Sequence, residues 1–105
     1  MCTRYWAEES PELRAIVEEM NRSPLVEKWH KTVGIKTYGE IRPTDVVSVI
    51  APNRHGDRAV FPMRWGFSGK SLLVNARSET AAEKPTFREA WERHRCIVPA
   101  SWYFE

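Results

Sequence analysis

Cysteine is scarce in this 105-residue chain, which has Cys2 and Cys96 and no others. Two thiols do not make the disulfide framework that holds small secreted domains together, so the fold must rest on a hydrophobic core. No apolar run approaches the ~20 residues that cross a bilayer, and no leader pattern opens the chain, so no membrane partner is expected. Histidine is sparse as well. His30, His55 and His94 show no ligand spacing, either among themselves or with the cysteines, so neither a metal nor another cofactor is expected. Repeats, low-complexity tracts and inter-domain linkers are missing, which leaves one domain.

A strong charge of one sign is also lacking. The net charge is +2, too mild to name nucleic acid as a partner by itself. Its distribution is uneven. Residues 1–52 carry 7 Lys+Arg against 8 Asp+Glu, and residues 53–105 carry 9 against 6, so the halves net −1 and +3. The basic second half suits phosphate contacts and equally suits an ordinary solvated face.

Aromatic surface is plentiful. Five Trp in a chain of this length exceed what a small core holds, so some must line a surface or groove. Residues 1–6 read as a strand that pins the N-terminus. Ser10-Pro11 followed by Leu13, Ile16, Val17 and Met20 predicts a capped helix, and Ser23-Pro24 predicts a shorter one through Trp29 and His30. From Gly39 the pattern turns to strand. Asp45–Ala51 and Arg58–Phe67 flank the turn-rich Pro52–Asp57 and read as a hairpin. A helix carrying Phe87, Ala90 and Trp91 is expected from Pro85 or Thr86. Cys96–Val98 is expected as a buried strand, and Trp102–Glu105 as another. The apolar Trp-Tyr-Phe run at the end predicts a partial domain, with an edge that pairs with a second copy through residues 96–105.

Four motifs stand in order. They are Met1-Cys2-Thr3-Arg4; Gly39-Glu40-Ile41-Arg42-Pro43-Thr44 ahead of a Val-rich strand; Arg64-Trp65-Gly66 followed by Asn75-Ala76-Arg77-Ser78-Glu79-Thr80; and Arg95-Cys96-Ile97-Val98-Pro99-Ala100 running into Tyr103-Phe104-Glu105. Their order and spacing resemble the SRAP family (SOS response-associated peptidase). That resemblance covers nearly the whole chain. It implies an α+β fold built on a bent antiparallel sheet, an incomplete barrel with flanking helices. It also implies that Cys2, exposed by removal of Met1, reacts with the aldehyde of an abasic site in single-stranded DNA. The localisation it implies is cytoplasmic and nucleoid-associated, or nuclear in a eukaryote.

The chemistry of Cys2 fits. An N-terminal cysteine offers an amine with a pKa of ~7.7–8.0 and a thiol with one of ~8.5 on adjacent carbons. The amine condenses with an aldehyde to an imine, and the thiol then closes a thiazolidine ring as an intramolecular step. By the same resemblance Asn75 orients the reacting groups and Glu105 serves as acid/base. Arg4 and Arg77 contact phosphate, with a surface salt bridge as the plainer alternative for each, and Phe67 and Ser78 complete the DNA contacts. A cysteine autopeptidase using Cys2, Asn75 and Glu105 is a rival reading, and an inactive, self-associating half-domain is another. Three departures stand out. Thr3 replaces the common Gly, the Phe67-Ser68-Gly69-Lys70 loop is short and lacks the family's Trp wedge, and the family's later His-x-Arg-Met-Pro segment has no counterpart up to Glu105.

Overall fold

Ser10 opens the first helix as its neighbours predict. Its backbone is extended and its hydroxyl accepts the Leu13 amide at 3.1 Å, while Pro11 takes the first helical position, where no amide donor is needed. The computed structural model describes residues 3–67 and 73–104. Helix α1 (Pro11–Asn21) turns Leu13, Val17 and Met20 inward at helical spacing. Helix α2 (Leu25–His30) follows Ser23-Pro24, buries Val26, and has the Ser23 hydroxyl accepting from the Leu25 amide at 3.3 Å.

Five strands form two antiparallel sheets. Strand β1 (Arg4–Ala7) lies between β2 (Gly39–Ile41) and β5 (Trp102–Phe104), in the order β2-β1-β5. Strands β3 (Val46–Pro52) and β4 (Arg58–Arg64) form a hairpin in the register Val46 to Arg64 through Pro52 to Arg58. Its turn follows from Asn53, whose side-chain oxygen accepts the His55 and Asp57 amides at 2.9 and 3.0 Å. Gly56 closes it at φ 83°, a conformation that costs a glycine nothing.

Helices α1 and α2 pack against β4, and α1 also reaches β3. The core between them gathers Leu13, Val17, Met20 and Val26 with Val47, Val49 and Val60, and continues to Tyr5, Ala7 and Ile41 of the other sheet. Met20 is fully buried. The third helix, α3 (Arg88–Arg93), buries no residue at all. Among the described residues no helix is long and apolar enough to cross a membrane.

The architecture is α+β, as expected, and four expectations need correction. The sheet is not one bent surface. The described strands form two separate sheets, an isolated bridge links Ile50 of β3 to Ile97 outside either sheet through amides that donate to each other's carbonyls at 2.9 and 2.8 Å, and no closed barrel forms among the described residues. Cys96–Val98 is not a buried strand. Only Ile97 pairs, and Ile97 and Val98 are 64% and 44% exposed because no described layer covers their far side. Strand β4 stops at Arg64 rather than Phe67, since Gly66 at φ 118° turns the chain away. The last helix begins at Arg88, after a run of turns, rather than at Pro85. None of the five Trp is fully buried, which places all of them at surfaces or cleft walls.

Removing Met20 empties the best-packed point of the core, so Met20→Ala should lower unfolding free energy by about 2–5 kcal/mol. Ser10→Ala, which removes only a cap, should cost about 1 kcal/mol. Urea denaturation of both variants checks the order. A smaller loss at Met20 than at Ser10 would contradict this packing.

Candidate functional site

The short segment Trp65–Phe67 is fixed from several sides. The Trp65 amide donates to the Asp45 carbonyl at 2.9 Å, and the Thr44 amide donates to the Trp65 carbonyl at 2.9 Å. Thr44 meets this geometry at φ 80°, a strained conformation for a β-branched residue that the turn Arg42–Asp45 must hold. That turn is closed by the Asp45 carboxylate accepting the Arg42 amide at 2.8 Å. The Trp65 ring tilts against Tyr5 at 5.6 Å between centroids, and its Nε1 donates to the Val74 carbonyl at 3.4 Å. Phe67 and Leu73 exchange backbone hydrogen bonds at 2.8 and 3.2 Å. Trp65 thus holds Val74, and with it the half-buried Asn75.

Two adjoining clefts meet at Asn75. The larger, about 580 Å³, runs between the hairpin and β5 and is lined by Val47, Val49, Met63, Val98, Ala100 and Tyr103. The smaller, about 300 Å³, lies against α3 and is lined by Phe87, Ala90, Trp91 and Arg95. Trp65, Gly66, Phe67, Val74, Asn75 and His94 are common to both. The walls are largely apolar with a few polar groups, Asn75 and His94 among them, an arrangement that suits a small-molecule binding site.

Of the predicted site residues, Asn75 and Phe67 come together here. Cys2 and Glu105 lie outside the described residues, but their covalent neighbours are close, the Thr3 amide donating to the Phe104 carbonyl at 3.3 Å. Arg4 adopts the ion-paired alternative. Its Nη1 meets Glu40 at 2.8 Å, its guanidinium lies 4.7 Å over the Phe104 ring, and Arg42 takes the other Glu40 oxygen at 3.0 Å. Arg77 is exposed and makes no ion pair among the described residues. Its carbonyl accepts the Thr80 and Ala81 amides at 3.2 and 2.9 Å, so Ser78 and Glu79 sit in an exposed turn beyond the site. Among the described residues no cluster of His, Cys, Asp and Glu could hold a metal ion.

His94, given no role from the sequence, is exposed and 3.9 Å from Glu89, and it also lines both clefts with Asn75. The signal was available. Phe87, Ala90, Trp91 and His94 follow i, i+3, i+4, i+7, so His94 completes the apolar stripe of α3 and must share its direction.

A family model described as SOS response associated peptidase (SRAP) matches residues 1–105. Among curated proteins, the chain is 52% identical over 33 residues to the abasic site processing protein YobE of Bacillus subtilis, and 48% identical over 33 residues to YoqW of Bacillus phage SPbeta and to YoaM of Bacillus subtilis. For YobE these residues are 31% of this chain and 15% of the relative, so the chain spans about half the length of that relative. No solved structure matches.

Cys96 is exposed as a residue, yet it lines the larger cleft, and partial burial of its thiol pushes its pKa up. A raised thiol pKa leaves less thiolate at a given pH. In a Cys2→Ser background, iodoacetamide should therefore label folded Cys96 more slowly than the urea-unfolded chain near pH 8, with the gap closing at higher pH. Faster labelling of the folded chain at pH 8 would overturn this.

Proposed function

The chain belongs to the SOS response associated peptidase family, and on that premise we propose that it captures abasic sites in single-stranded DNA as a thiazolidine on Cys2. The relatives carry names for abasic site processing, which supports a damaged sugar as the electrophile. The observation that carries the reading is the junction at Asn75. A cleft with one central amide opens beside the β1–β5 pair, whose last described residues, Thr3 and Phe104, adjoin Cys2 and Glu105 in the chain.

The chemistry runs in two steps. After Met1 is removed, the free Cys2 amine adds to the sugar aldehyde, forming a C–N bond, with a proton passing from nitrogen to the carbonyl oxygen. Loss of water, with the Glu105 carboxyl donating a proton to the departing hydroxyl, leaves the imine. The thiolate then adds to the imine carbon, the nitrogen regains a proton, and the five-membered ring closes. Asn75 orients the amine and the sugar hydroxyl. The apolar walls from Trp65, Val98 and Tyr103 limit water around the imine.

The phosphodiester flanking the sugar needs a cation. Arg77 is the better candidate, being exposed two residues beyond Asn75. Arg4 shares Glu40 with Arg42 and would have to exchange one acceptor for another. The family description favours one second reading, a peptidase in which the Cys2 thiolate attacks a peptide carbonyl and the same Asn75 and Glu105 assist. Intact mass after incubation with an abasic oligonucleotide, against a peptide substrate, separates the two.

Cys2→Ala should abolish stable adduct, and Cys2→Ser should give at most an imine that hydrolyses on dilution. A chain blocked from losing Met1 should fail equally, with every side chain intact. Normal crosslinking by that Met1-retaining chain, read on a denaturing gel, would refute the ring mechanism.

Arg77→Ala should weaken binding to single-stranded DNA similarly for all sequences. It should also reduce the slope of log affinity against log salt by about 0.7, the value for one phosphate contact on a single strand. A loss confined to particular sequences would indicate base readout instead.

A further inference from the structure

We infer that the smaller cleft, between α3 and Asn75, is a nucleobase subsite that receives the base next to the abasic sugar. The identity of this ligand rests on the function proposed above, while the shape of the subsite stands on its own geometry.

Helix α3 carries an apolar stripe and buries none of it. Phe87 and Trp91 instead form one wall of the cleft, and Phe67 and Trp65 stand on the other side. Phe67 meets Phe87 edge-on with centroids 5.3 Å apart, which closes the floor with a ring edge and leaves aromatic faces for a ligand. Trp91 remains 42% exposed.

The rim is cationic. The Arg95 guanidinium lies 5.3 Å over the Trp91 ring, and both belong to the cleft wall. Aromatic faces paired with guanidinium planes hold unstacked bases without reading their identity, because every base presents a π-face. The volume of about 300 Å³ sits at the lower end of sizes that hold small molecules, which suits one heterocycle.

Continuity selects the occupant. Asn75, Trp65 and His94 wall both clefts, so a sugar at Asn75 places its chain neighbour at the mouth of the smaller one. An abasic nucleotide has no base of its own to stack, and the adjacent base is the nearest π-surface its strand offers. Arg77 is exposed two residues beyond Asn75 and is the cation available to a phosphate of the same strand.

The test uses the whole chain and a short single-stranded oligonucleotide centred on tetrahydrofuran, an abasic analogue without an aldehyde. A second oligonucleotide of equal length carries tetrahydrofuran on both sides of the centre as well. Fluorescence anisotropy should show about tenfold weaker binding to the second, the effect of one lost base–aromatic stack. Trp91→Leu keeps apolar area but removes the ring, and should erase this difference. Trp91→Phe should keep most of it. Equal affinity of the unmodified chain for both oligonucleotides would overturn the subsite, as would a full tenfold difference in Trp91→Leu. Sedimentation showing a dimer that oligonucleotide does not dissociate, and that Trp91→Leu does, would assign the cleft to a second copy and also overturn it. A separate incubation with aldehyde-bearing abasic DNA isolates the covalent step. No adduct there, with the binding difference intact, would refute the crosslinking function and leave the subsite standing.

Discussion

Strand β1 is the piece on which the arrangement depends, because among the described strands it is the one with a strand paired on each side. Its residues pair with Ile41, Glu40 and Gly39 along one edge and with Phe104, Tyr103 and Trp102 along the other. A central strand so close to the start of the chain cannot fray as termini usually do, since leaving would break two ladders at once. Alternation then does the rest. Tyr5 and Ala7 turn to the core, Tyr5 meets Trp65, and Arg4 and Trp6 turn to the outer face, where Trp6 stacks on Trp102 at 5.8 Å. The first few residues therefore fix where both Gly39–Ile41 and Trp102–Phe104 lie.

The site is assembled unevenly. Trp65 and Val74 are held by backbone bonds, by a ring contact and by the strained Thr44 turn, so one side of Asn75 is built into the hairpin. The opposite side comes from α3, which buries nothing, and from the exposed stretch around Ile97. Regions with little buried apolar area open at low free energy, and sites that must admit a polymer are commonly drawn from them. A rigid amide facing a loosely held aromatic wall is consistent with admitting a strand of DNA.

Charge is handled in the same local way. Glu40 serves both Arg4 and Arg42, and Arg58 is paired with Glu19, so these three cations are already balanced by partners. Such exposed pairs contribute at most about 1 kcal/mol each, and their role is to set where free positive charge remains. Arg77, two residues beyond Asn75, and the Trp91-stacked Arg95, which lines the smaller cleft with Asn75, are among the described cations that make no ion pair. A modest net charge can therefore still present cations where a phosphate chain would run.

Much of this was legible in the sequence. Ser10-Pro11 and the Leu13–Met20 spacing determined α1, and Asn53 to Asp57 determined the hairpin turn, because caps and turns are decided by residues within a few positions of one another. The order of the four motifs was enough to reach the family. What local residues did not contain was the long-range pairing. The division into two sheets, the ion pair that draws Arg4 to Glu40 and the exposure of Cys96–Val98 each depend on which distant segment lies alongside. His94 belongs with these cases. Its place on the α3 stripe could be read from spacing, but only the approach of Trp65 and Asn75 from the other side made that stripe a cleft wall. Local chemistry wrote the elements and the reactive residues into the chain, and tertiary packing decided which of them meet, because contacts between segments distant in sequence are set by the competition of whole faces for burial.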